Sequence, residues 1–151
     1  MSKAVAEVMT ADPYTISPQT AASEAARIML ERDVGSVPVV EDGHLLGIVT
    51  DRDLALRVVA AGRDPNTTKV EEIATADLHS AGPDDSLDEA FDRMSIWRIR
   101  RLPVVESDRL VGMLAQADVV HALKDKKAGR LVEEISRPGK PAFRMQEVGI
   151  S

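Results

Sequence analysis

"SVPVVEDGHLLGIVTDRDL", Ser36 to Leu54, and "RLPVVESDRLVGMLAQADV", Arg101 to Val119, are one passage written twice, 65 positions apart. The shift lays Pro38 on Pro103, Gly47 on Gly112 and Asp53 on Asp118, and it runs without a gap from Val5–Leu54 to Val70–Val119. Upstream, "VAEVMTAD" at 5–12 falls on "VEEIATAD" at 70–77. A gapless register of that length marks an internal duplication, so whatever one copy builds the other should build again.

Each copy reads β-α-β-β-α. A short strand is expected around Tyr14–Ile16. The helix after it has apolar positions at Ala22, Ala25, Ala26, Met29 and Leu30, and in the second copy at Leu87, Ala90, Phe91 and Met94. That i, i+3, i+4, i+7 spacing is amphipathic, and Thr20 and Asp85 stand where an N-cap is expected. The runs Ser36–Glu41 and Leu45–Thr50 flank Asp42-Gly43, a strong two-residue hairpin signal, with Ser107-Asp108 as its weaker counterpart. A second helix follows Thr50 and is predicted to stop near Gly62, ahead of the Asp64-Pro65-Asn66 turn.

A unit of about 60 residues buries too little surface to stand comfortably alone. The predicted fold class is therefore mixed α/β: two β-α-β-β-α repeats packed sheet to sheet about a pseudo-twofold axis. Residues 1–66 form the first repeat with its lead-in, 67–127 the second, and 128–151 a C-terminal extension. There "VEEI" at 132–135 imitates the start of a third copy and predicts a short helix followed by a loose tail.

Composition narrows the function. With 44% hydrophobic, 29% charged and only 3% aromatic residues the chain is that of a globular protein with an aliphatic core. It has no cysteine, which excludes disulfides, thiolate metal sites and cysteine nucleophiles. The opening "MSKAVAEVMTADPYT" meets Glu7 and Asp12 before any signal-like apolar run, and no stretch approaches the ~20 residues of a membrane span. A cytoplasmic protein without a membrane partner is expected. The net charge of −6 disfavours a nucleic-acid partner. His44, His79 and His121 lack ligand spacing, so no metal is expected, and neither a Gly-x-Ser-x-Gly elbow nor a Walker loop occurs.

The junction of Thr50, Asp51, Arg52 and Asp53 is where a buried strand should become a helix. A carboxylate such as that of Asp53 can accept both hydroxyls of a vicinal diol. Thr50 ends a strand, and the helix start beyond it offers free N–H groups to a phosphate. The same residues also suit an ordinary first helical turn, where acids gain roughly 0.3–1 kcal/mol from the dipole.

From about Lys3 to Lys124 the chain resembles a tandem pair of CBS (cystathionine-β-synthase-type) domains, a Bateman module. The duplicated Pro-Val-Val, the Gly-x-x-Thr-x-x-Asp run from Gly47 to Asp53 and the "VAEVM" lead-in carry the likeness. "AAGRDPNTTKVEEIA" and "RIRRLPVVESDRLVG" are similar to stand-alone pairs of the hypoxic-response type, although the cysteines of that subgroup have no counterpart.

The resemblance implies a non-enzymatic regulatory module that needs no cofactor. It would hold an adenosine-containing ligand (AMP, ADP, ATP or S-adenosylmethionine) in a cleft between the repeats and answer to a protein partner in trans. A homodimer is expected too, since Phe91, Met94, Ile96 and Trp97 supply more apolar surface than one short helix easily buries. For the site, the resemblance implies Thr50 and Asp53 against a wall at Ile48, with His79 and Ser80 facing the adenine and Arg100 and Arg101 meeting phosphate. Arg52 is a further phosphate candidate. Strand alternation, however, should send Arg100 and Arg101 to opposite faces.

A second, weaker cleft is expected at Tyr14, Met113 and Asp118. There Ala115 replaces Thr50, Ala117 replaces Arg52, and Gly35-Ser36 stand opposite Arg100-Arg101. The competing readings are a ligand-free structural or protein-interaction module and a small hydrolase with Asp51 or Asp53 as base.

Overall fold

Two β-hairpins organise the chain in the computed structural model, which describes residues 3–76 and 78–134, with side chains as far as Asp125. The first pairs β2 (Ser36–Glu41) with β3 (His44–Thr50), and the second pairs β4 (Arg101–Glu106) with β5 (Arg109–Ala115). Asp42 and Gly43 turn at φ 54° and 83°, and Ser107 and Asp108 at 52° and 63°. Both loops thus turn through two left-handed residues, the handedness that matches strand twist, and the second copy does so without glycine. The register shifts at Val39/Val40 and again at Val104/Val105, the same place in each repeat.

Helix α1 (Ala22–Arg32) and helix α3 (Leu87–Trp97) precede the hairpins. Helix α2 (Asp51–Leu54) follows the first and widens into a π-helical turn at Ala55–Val59 before the chain breaks at Gly62, φ 72°. Helix α4 (Gln116–Glu134) follows the second. It absorbs residues 132–134, so the short separate helix expected there is the end of α4; no proline interrupts the run before Pro138. The tail expected beyond lies outside the described residues.

The strand expected at Tyr14–Ile16 is one parallel bridge, Ile16 to Val39, with Ala81 to Val104 as its twin. Ile16 N–H donates to Pro38 O at 3.0 Å and Val40 N–H donates to Ile16 O at 2.9 Å. Pro13 and Pro18 on either side cannot donate to a longer ladder. The pairing strand of the lead-in is instead β1 (Thr10–Ala11), and it joins β5 of the other copy through Thr10–Met113 and Ala11–Gly112.

That exchange is reciprocal. Thr75 of the second lead-in pairs with Ile48 on β3, while Ala4 bridges Ser86 and Lys69 bridges Ala21. Val5 N–H donates to Asp85 O at 2.9 Å, and Val70 N–H to Thr20 O at 2.8 Å. A Cβ on Gly47 would come within 2.8 Å of Thr75 O, and one on Gly112 within 3.0 Å of Thr10 O. The two repeated glycines therefore make room for the swapped lead-ins. The sheets meet directly at one pair, His44 with Arg109.

Each core consequently mixes both copies. Val70 and Ile73 pack with Ile28, Val37, Val49 and Val58, whereas Val5 packs with Leu87, Met94, Leu102 and Leu114. Helix α1 turns Ala22, Ala25, Ile28 and Met29 inward. Leu30, expected among them, is 81% exposed, because it stands one residue past Met29 and so a further ~100° around the helix. Met94, expected to contribute to an exposed apolar surface, is completely buried, which leaves Ile96 and Trp97 outside at 75% and 37% exposure.

The caps lie one residue later than the sequence implied. Ala21 precedes α1 and cannot cap with its side chain, while Thr20 O is occupied by Val70 N–H. Ser86 caps α3, accepting from Glu89 N–H at 3.1 Å, and Asp85 accepts instead from Gly82 N–H at 2.9 Å. That backbone donor, with Arg93 at 3.0 Å, holds the Asp85 carboxyl below its usual range. Glu72 is lowered likewise, first by Lys69 N–H and then by Arg63.

Candidate ligand-binding cleft

Strand β3 delivers Thr50 to the start of α2 because the apolar run ends there in a hydroxyl followed by charge. Thr50 Oγ1 accepts from Asp53 N–H at 3.0 Å, and Asp53 Oδ2 accepts from Thr50 N–H at 2.9 Å. The pair forms a reciprocal capping box. Asp53 is only 8% exposed, and its Oδ1 lies 3.8 Å from Arg57 Nε.

In front of this box a cleft of about 580 Å³ opens between β3–α2 of the first copy and the α3–β4 bend of the second, a volume in the range of small-molecule sites. It brings together Ile48, Thr50, Arg52, His79, Arg100 and Arg101. Asp53 and Ser80 are not in its wall; Asp53 lies behind Thr50, held in the box. Arg100 and Arg101 reach the same cleft because strand geometry begins only at Arg101, and Arg100 belongs to the bend before it. Alternation does not apply across that boundary.

Sequence reasoning passed over Arg98, Ile99 and Thr75, which also line the cleft. Arg98 takes the left-handed cap position of α3 at φ 56°. The signal was present in "RIRR", where three of four residues carry a guanidinium, but only the last two were read as a phosphate pair. Thr75 enters through the swapped lead-in, which spacing alone does not reveal.

His79 is held by Trp97, ring on ring, with centroids 3.6 Å apart and planes 13° from parallel. The repeat register places Tyr14 under His79 and Arg32 under Trp97, and those residues also stack: the Arg32 guanidinium lies 3.8 Å over the Tyr14 ring. They belong to a second cleft of about 310 Å³ whose wall includes Tyr14, Met113 and Asp118. Ser36 and Arg101 line both clefts.

Two repeats of this topology, with lead-ins exchanged and a cleft at each strand-to-helix junction, define a tandem pair, and comparison with known proteins places it. The CBS domain family model matches residues 5–60 and 70–125, and the chain belongs to that family as a CBS-pair regulatory module.

It is 42% identical over 133 residues to the CBS domain-containing protein YhcV of Bacillus subtilis, covering 87% of this chain and 94% of that protein. It is 32% identical to hypoxic response protein 1 of Mycobacterium tuberculosis, covering 87% and 93%. The crystal structure of a hypoxic response protein I with two coordinated zinc ions superposes with a TM-score of 0.73 at 32% identity, over 79% of this chain and 98% of that one. The CBS pair of MJ0100, in complex with 5′-methylthioadenosine and S-adenosyl-L-methionine, superposes with a TM-score of 0.73 at 29% identity, over 84% and 100%. CBSX2 in complex with AMP superposes at 0.71 and 26%, over 82% and 98%.

Among the described residues no three His, Asp or Glu side chains are grouped so as to hold a metal ion. Among them, too, no helix is long and apolar enough to cross a membrane.

Proposed function

We propose that this chain is a non-enzymatic sensor of an adenosine-containing ligand, bound in the larger cleft and reported to a protein partner in trans. The observation that supports it most is the convergence on one cleft of an apolar wall at Ile48, a strand-end hydroxyl at Thr50 and the arginines of the α3–β4 bend. Adenosine compounds in the MJ0100 and CBSX2 complexes favour the same ligand class. In this reading the base lies between Ile48 and the backbone near His79 and Ser80, and the phosphate takes the Thr50 hydroxyl with Arg100 and Arg101. The ribose diol is assigned to Asp53, which lies behind the wall with its Oδ1 3.8 Å from Arg57 Nε, so this contact requires the capping box to open toward the cleft. Occupancy biases the relative position of the two repeats only as far as the ligand prefers one arrangement. Leu30, Ile96 and Trp97 supply exposed apolar surface for pairing two copies.

The placement of Asp53 behind the wall favours a second reading, a cleft that stays empty and a module that only joins proteins. Calorimetric titration with adenosine, AMP, ADP, ATP and S-adenosylmethionine separates the two. Saturable binding without turnover is expected, and silence across the panel would leave the interaction module standing.

A further inference from the structure

The arginines of this molecule are sorted. Arg27 pairs with Glu24, Arg57 with Asp53, Arg63 with Glu72 and Arg93 with Asp85. Arg109 donates to Asp42 O, and Arg32 lies over Tyr14. Arg52, Arg98, Arg100 and Arg101 have no acidic partner among the described residues, and all four line the larger cleft. The single carboxylate in that wall is Asp51, whose Oδ1 accepts from Arg52 N–H at 2.8 Å. All four side chains are exposed, so solvent screens their mutual repulsion, yet in a chain with net charge −6 they gather positive charge in one concave place that an anion can meet.

We infer that the cleft selects a nucleoside di- or triphosphate, taken as the metal-free anion, over a monophosphate or a sulfonium nucleoside. The inference rests on the adenosine reading and sharpens it. A terminal phosphoryl group carries roughly −1.5 to −2 charge at neutral pH, which two guanidiniums already match in a forked contact. The sequence pair Arg100-Arg101 therefore serves one phosphoryl group, and Arg98 and Arg52 stand in excess of it. They come from opposite walls, Arg98 from the left-handed end of α3 and Arg52 from the first turn of α2. A longer phosphate chain gives both a partner. S-adenosylmethionine brings a positive sulfonium into the same field and is disfavoured. With one carboxylate in the wall, the cleft offers little to a divalent cation, and magnesium on the phosphates competes with the arginines instead of assisting them.

Calorimetry on the full chain in EDTA, with adenosine, AMP, ADP, ATP, S-adenosylmethionine and inorganic tripolyphosphate, tests this. ADP and ATP are expected to bind at least about tenfold more tightly than AMP, the return on one added charge-assisted contact. Their affinity should fall more steeply with sodium chloride than that of AMP, and magnesium should weaken ATP. Arg98→Asn keeps a residue tolerant of the left-handed cap and should weaken ADP by about tenfold and AMP much less, bringing the ADP-to-AMP ratio toward one. Should it not fold, Arg52→Gln gives the same readout. AMP binding as tightly as ADP, or Arg98→Asn weakening both equally, overturns the inference and leaves the adenosine reading intact. Tripolyphosphate binding where no nucleotide does, or no binding at all, overturns both.

Discussion

The two clefts share a frame and differ in what lines it. Each opens at the end of a hairpin strand, faces the other copy's bend, and has in its wall a member of a stacked pair at the same two repeat positions, both members in the smaller cleft and His79 alone in the larger. In the larger cleft that pair is His79 on Trp97, with Thr50 at the strand end and four arginines around it. In the smaller it is Arg32 on Tyr14, with Ala115 at the strand end. The smaller cleft's own guanidinium is thus spent on an aromatic ring, and Arg101 is shared. Duplication repeats what the backbone requires, the hairpin turns, the bulges and the lead-in glycines, and leaves the wall free to diverge.

The frame itself can be broken. Met94→Ala removes a fully buried side chain next to Val5 and Leu102 and is expected to cost about 2–5 kcal/mol. Because each core contains the other copy's lead-in, urea unfolding should remain a single transition shifted as a whole. A second transition at the original midpoint would show that the copies fold independently.

Binding separates the clefts next. Arg100→Gln with Arg101→Gln should weaken ADP by about a hundredfold, since two charge-assisted contacts are lost. Arg32→Gln in the smaller cleft should leave its affinity within about twofold. Titration of both variants checks the pair, and equal losses would mean that the clefts act as one.

Thr50→Ala makes the larger cleft resemble the smaller, and its effect should be about tenfold on the nucleotide. It also removes half of the capping box, with about 1 kcal/mol of stability expected to go with it. A thermal melt run beside the titration distinguishes loss of the cap from loss of a ligand contact. Ala115→Thr should supply a cap hydroxyl to the other copy without creating a strong site, because Arg52, Arg98 and Arg100 have no counterpart in that wall, where Arg32 lies over Tyr14 and Arg101 is shared.

Much of this was readable in advance, and the reason lies in periodicity. The 65-residue register located both hairpins, both amphipathic helices and the strand-to-helix junction, all of which arise from local patterns. The lead-in exchange was not legible, because β1 meets β5 about a hundred positions away and no local signal marks such a pairing. Asp53 looked like an open ligand group, yet its spacing from Thr50 is also that of a capping box. The third arginine at 98 was visible as a charge but not as cleft lining, since that depends on the left-handed residue ending α3.

The smallest expected difference between the copies is in acid. Asp85 stands where the first repeat has Thr20, so only the second helix entry carries a titrating group at this position. Its carboxyl is held below the ordinary value of 3.8 by Gly82 N–H and, after the opposing effect of burial, by Arg93. A depressed folded-state pKa means that the unfolded chain takes up the proton first. The contribution is therefore fully present above about pH 5 and is lost as the pH falls through the ordinary value toward the lower, folded one. Glu72, ordinarily at 4.5 and lowered by Lys69 N–H and Arg63, acts in the same direction. Asp85→Asn keeps an acceptor for Gly82 N–H but drops the charge that Arg93 meets. It should lower the melting temperature by a degree or so at pH 7, about what an exposed ion pair sustains. The gap from the unaltered protein should narrow as the pH falls below the ordinary value of 3.8 and close only below the lowered, folded one, where the carboxyl is neutral. A gap that stays constant from pH 7 to 3 would locate the effect in packing instead of charge, and the helix entries of the two copies would then be electrostatically equivalent.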